Sequence, residues 1–78
     1  MENKIIYVSC ETIHSEKKQK DFYVIYYIMN KKPVTEFVSE EVYRKLKIKN
    51  LQELKEYTAI FNLSINGNSK NAVLFDIK

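Results

Sequence analysis

The sequence predicts a mainly β domain, five strands and one short helix in the order β-β-β-α-β-β, closed as a small barrel over residues 1–78. Three observations predict it. Apolar and aromatic residues recur every second position over most of the chain, the spacing that sends alternate side chains to opposite faces of a strand. The period turns helical at one place, after Ser39-Glu40-Glu41. One glycine and one proline in 78 residues leave few loops that need unusual backbone geometry, so long elements should be joined by short turns.

Residues 4–14, KIIYVSCETIH, are rich in β-branched and aromatic types and read as the first strand. Ile6, Val8 and Cys10 are its expected inward face; Ile5, Tyr7, Ser9 and Glu11 are expected outward. Residues 15–20 are polar throughout and form a loop. Residues 21–30 are the strongest strand, with Phe22, Val24, Tyr26 and Ile28 on one face and Tyr23, Ile25, Tyr27 and Met29 on the other. A strand apolar on both faces is central in a covered sheet or keeps one face for a ligand. Asn30-Lys31-Lys32 is the next turn, and Pro33 opens a third strand, where a missing N–H is tolerable. Val34, Glu36 and Val38 then alternate with Thr35 and Phe37; valines inward put Phe37 outward.

Ser39 followed by Glu40 and Glu41 is a helix start, a serine cap with negative charge in the first turn. Val42, Tyr43 and Leu46 supply its apolar stripe, basic residues its C-terminal end, and Asn50 its stop. Leu51 and Leu54 are placed in a further short helical turn. From Tyr57 the period returns to two, with Tyr57, Ala59, Phe61, Leu63 and Ile65 on one face. Asn66-Gly67 is a hairpin signal, with a loop that can extend to Asn71. Residues 72–77 form the last strand, with Val73, Phe75 and Ile77 inward.

Composition narrows the function classes. With 45% apolar and 29% charged residues the chain is too apolar for a disordered tail. The net charge of +3 is mild, so its distribution matters more: residues 17–20 and 31–32 hold five lysines. Twelve lysines to one arginine argue against base reading by bidentate guanidinium groups, so nucleic-acid binding would be sequence-tolerant. Cys10 is the sole cysteine, so no internal disulfide forms, and His14 has no second ligand at metal spacing. No Ser/His/Asp set, glycine-rich phosphate loop or zinc signature is present, and the reading is a non-enzyme without cofactor or metal. No apolar stretch approaches ~20 residues and residues 1–9 lack a signal-peptide layout, so the expected location is cytoplasmic, without a membrane partner.

Five strands with a helix between the third and fourth is the order of the OB-fold barrel. Its ligands lie on strands 2 and 3, flanked by the loops joining strands 1–2 and 4–5. Aromatic faces interleaved with cations suit a single-stranded nucleic acid, whose bases stack and whose phosphates need positive charge. The expected interface is Tyr7, Tyr23, Tyr27 and Phe37 as one outward face, with Lys17, Lys18, Lys20, Lys31, Lys32 and Lys70 around it. A one-residue slip in register would substitute Phe22 and Tyr26. Stacking is worth roughly 1–3 kcal/mol per base, so two or three rings suffice for micromolar binding.

KDFYVIYYI on the second strand, KEYTAIFNLSI on the fourth and NGNSKNAVLFDI at the close together resemble the small single-stranded-DNA-binding proteins of filamentous phages and related mobile elements. The likeness spans the whole chain in element order and length. It implies an OB-type barrel, a homodimer, and cooperative coating of single-stranded DNA through tyrosines, a phenylalanine and basic residues during replication or transfer. The chain departs from that group in its scarcity of glycine and proline and in its helix at 39–47. The competing reading is a protein–protein module, a phage-type inhibitor or an assembly subunit, that uses the same aromatic face as its interface.

Overall fold

The computed structural model describes the backbone of residues 1–66 and 69–78 and the side chains of residues 1–63 and 71–78. Its strands are β1 (Glu2–Ser15), β2 (Lys20–Met29), β3 (Lys32–Val38), β4 (Glu56–Asn66) and β5 (Ser69–Ile77), with α1 (Glu40–Lys49) between β3 and β4. Every pairing is antiparallel, and the strands form one curled half-barrel sheet in the order β3-β2-β1-β4-β5. Among the described residues no backbone ladder joins β3 to β5, so the expected closure of the barrel is not made by strand pairing.

The helix forms where its caps predict. Ser39 Oγ accepts the Val42 amide at 3.2 Å, Glu40 and Glu41 occupy the first turn, and Asn50 ends the helix in the left-handed region. Val42 and Leu46, four residues apart and so on one face, are buried in the hollow of the sheet. There they pack with Ile5, Tyr7, Ile25, Tyr27, Phe61 and Leu74. No further helical turn follows at residues 51–55. Instead Leu54 N–H donates to the Tyr7 carbonyl at 2.6 Å and Tyr7 N–H to the Lys55 carbonyl at 3.0 Å. Those bonds dock the segment onto β1 and hold Leu54 at a φ of 60°.

Three local features decide which side chains meet in the hollow. Asn30 and Lys31 both have positive φ, 54° and 65°, and Met29 pairs with Lys32. The β2–β3 connection is therefore a two-residue hairpin of the primed type that suits strand twist, one residue shorter than the Asn30-Lys31-Lys32 turn expected. In β1 the pairing runs Tyr7 with Tyr27 and then Ser9 with Tyr26, leaving Val8 as a bulge. Ile5 and Tyr7 before the bulge are buried, where Ile6 and Val8 were expected; Cys10 beyond it packs on the core as expected. In β5, Asp76 pairs with Ile60 and Leu74 with Phe61, so Phe75 is the extra residue. Leu74 and Ile77 are buried, whereas Val73 and Phe75 stay partly exposed, and the Lys45 ammonium sits 3.6 Å from the Phe75 ring centroid. Leu63, of the same parity as Ala59 and Phe61 in β4, is also exposed. Asn66 pairs with Ser69, so residues 69–71 belong to a strand rather than to a loop; Gly67, of the Asn66-Gly67 signal, lies outside the described residues.

Side chains bridge where the backbone does not. Glu36 of β3 accepts the Tyr27 hydroxyl at 2.7 Å through Oε1 and the Leu74 amide of β5 at 2.6 Å through Oε2. At the end of α1, Lys49 Nζ lies 2.8 Å from Asp76 Oδ1 and donates to the Ile77 carbonyl at 2.7 Å. Desolvation pushes the Asp76 carboxyl up, but bonds from Lys49 and the Ile77 amide, with the Lys49 and Lys45 charges, outweigh it and hold the group below its ordinary value. A depressed folded-state value means stabilisation that is present above the unfolded value of about 3.9 and is lost as pH falls through the folded one. Asp76→Asn should therefore cost on the order of 1 kcal/mol near neutrality. Thermal melts of both proteins should converge in acid; a constant gap across that range would show that the Lys49 pair is not the cause.

No helix among the described residues is long and apolar enough to cross a membrane.

Candidate nucleic-acid interface

Of the four aromatic residues expected on one outward face, only Phe37 is there, 62% exposed. Tyr7 and Tyr27 are 7% and 2% exposed and line the hollow beneath α1. Tyr7 Oη donates to Cys10 Sγ at 3.3 Å and Tyr27 Oη to Glu36. Burial first, and those bonds second, push both phenols above their ordinary range, so both remain neutral donors. Tyr23 shares their side at its rim. Its ring lies 4.9 Å from that of Tyr43 and its hydroxyl donates to Glu40 at 3.3 Å, so the first turns of α1 cover it. Tyr7 and Tyr27 offer no ring face to a base, and one side of the half-buried Tyr23 ring is taken by Tyr43.

The correction has one cause. Val34, Glu36 and Val38 do point inward, and the two-residue turn pairs Val34 with Tyr27, Glu36 with Ile25 and Val38 with Tyr23. Cross-strand partners share a face, so the odd-numbered residues of β2 follow the valines inward. The even-numbered ones face out.

That outer face has a centre. Val24 is fully buried although it lies opposite the core, flanked in its row by Glu11 of β1 and Phe37 of β3 and along its own strand by Phe22 and Tyr26. Phe22 and Phe37 meet edge to face with ring centroids 6.1 Å apart. The Lys18 and Lys20 ammonium groups stand 5.7 and 5.6 Å from the Phe22 centroid, within range of a cation–π attraction. Ile13, Lys18, Phe22 and Phe37 enclose an open, mainly apolar hollow of about 420 Å³. Beside it Tyr26 Oη donates to Glu11 Oε1 at 2.5 Å, and this bond, more than desolvation, raises the Tyr26 phenol.

The chain matches no protein-family model, no curated protein and no solved structure.

The lysines fall into two groups. Lys17, Lys18 and Lys20 are exposed at the β1–β2 turn, where the Lys18 amide donates to Ser15 Oγ at 3.3 Å. Lys31 and Lys32 are exposed at the β2–β3 turn, the other end of β2. At about 3.3 Å per residue the ten residues of β2 set the two groups roughly 30 Å apart. Only the first group adjoins the phenylalanine pair. The Lys70 side chain lies outside the described residues.

Phe22 and Tyr26, the substitutes that a one-residue slip in register brings in, thus belong to this face, together with Ile13 and Glu11, which no expectation included. A signal for the first two was present: Lys20, Phe22 and Tyr26 share one parity along a strand, so the cation nearest the aromatic run already stood on their side.

Proposed function

We propose that this chain is a non-catalytic single-stranded nucleic-acid-binding protein of the OB type, with DNA the favoured ligand. It would coat strands in the replication or transfer of a phage or mobile element. The observation that carries the reading is the Phe22–Phe37 pair, uncovered on the outer side of β2 and β3 with two ammonium groups beside it. Flat rings accept bases of any identity and lysines attract the phosphates that accompany them, so this pairing favours a single strand over a duplex, whose bases are already stacked. The sheet order, with β1 central and paired to both β2 and β4, supports the OB reading, as does the location of the rings on the second and third strands. In that reading Glu36 spans the open seam of a partly open barrel.

Fluorescence anisotropy of a labelled mixed-sequence oligonucleotide tests it. Low-salt binding in the micromolar range is expected, weakening steeply as salt is added, because each phosphate contact releases counterions. Exchanging Lys18 and Lys20 together for glutamine should flatten the log–log salt slope by roughly 1.4, at about 0.7 per single-strand contact. Lack of any anisotropy change at low salt would end the proposal. A protein partner seated on the same rings would instead be retained at high salt, since burial of apolar surface is not screened.

A further inference from the structure

We propose that Glu11 biases this face toward bases that carry an exocyclic amine, cytosine foremost, and against thymine and uracil. The inference rests on the single-strand reading above and names its preferred ligand. Glu11 stands in one cross-strand row with Val24 and Phe37, beside the hollow that Phe22 and Phe37 enclose. Its bond from Tyr26 is charge-assisted and, though exposed, fixes the carboxylate beside Tyr26 on the outer face. That bond occupies Oε1; Oε2 takes no hydrogen bond among the described residues.

A fixed negative charge at this point repels phosphate, while Lys18 and Lys20 attract it at the turn. A strand whose backbone follows the lysines therefore turns base edges, not phosphates, toward Glu11. An ionised carboxylate can only accept hydrogen bonds. Cytosine offers its N4 amine as donor, whereas thymine presents the O4 acceptor and a methyl group at the same place. A thymine stacked on these rings would thus face oxygen with oxygen. The result is a modest bias laid over sequence-tolerant stacking, because a single exposed hydrogen bond discriminates by roughly three- to tenfold.

Titration of labelled oligo-dC and oligo-dT of equal length at neutral pH and low salt reads the bias directly. Oligo-dC should bind roughly three- to tenfold more tightly. Glu11→Gln keeps the size and the carbonyl acceptor but adds an amide donor that can meet O4, and removes the charge. It should bring the two affinities together and tighten both. Equal affinities in the unsubstituted protein, or a preference that survives in Glu11→Gln, would overturn the inference and leave the single-strand reading standing. Binding of neither oligonucleotide would overturn both.

Discussion

Phe37→Ala should weaken single-strand binding by about tenfold or more while leaving the fold in place. Base–aromatic stacking is worth roughly 1–3 kcal/mol per base, and Phe37 is the most exposed of the rings on the outer face. Its removal also strips the edge-to-face partner from Phe22, so the second ring loses its fixed orientation as well as its neighbour. The cost in stability is small for the same reason that the functional cost is large: a ring already in water gives up little burial, and an aromatic pair adds only about 0.5–1.5 kcal/mol. Anisotropy titrations beside thermal melts separate the two effects. Tyr27→Phe is the matching control, since it alters a buried hydroxyl and leaves the outer face intact. Should Phe37→Ala bind like the parent protein while Tyr27→Phe does not, the interface has been placed on the wrong side of the sheet.

Glu36→Ala should be the most damaging polar substitution in the chain. Both carboxylate oxygens are engaged, one by the Tyr27 hydroxyl and the other by the Leu74 amide, and those partners are 2% and 1% exposed. Alanine leaves a buried hydroxyl and a buried N–H without acceptors, at about 1–3 kcal/mol for each unsatisfied group. A loss of roughly 2–6 kcal/mol in a domain of this size lowers the melting temperature by roughly 10–40 °C, a large share of ordinary stability. Glu36→Gln gives a sharper test than alanine alone. Its amide oxygen can accept from Leu74 while its NH₂ donates to the Tyr27 hydroxyl, which can reverse its role, so most of the stability should return. Urea or thermal unfolding of the two variants distinguishes a specific bridge from a tolerant surface position. An alanine variant as stable as the glutamine one would show that β3 and β5 are held together by packing alone.

Much of this architecture is readable from local chemistry. The capped helix, the number and order of the strands, the outward Phe37 and the lysines bracketing β2 each depend on signals a few residues long. Ser39 needs only the amide of Val42, and the existence of a chain reversal near Asn30, though not its length, needs only neighbouring residues. These features follow from the sequence by itself because nothing distant is required to make them favourable.

The side of β2 that faces water is different. Phe22, Val24, Tyr26 and Ile28 are as apolar as Tyr23, Ile25, Tyr27 and Met29, so neither face is locally preferred. With a turn of three residues, Tyr23 and Tyr27 would have shared a face with Phe37; with the turn of two that forms, Phe22 and Tyr26 do. The bulges at Val8 and Phe75 reverse the alternation of β1 and β5 in the same way. Side chains alternate with a period of two, so one residue gained or lost in a turn or bulge exchanges every inward position for an outward one. Only the packing of Val42 and Leu46 against the assembled sheet, with Glu36 bonded to Tyr27 across it, makes one of the two alternations lower in free energy.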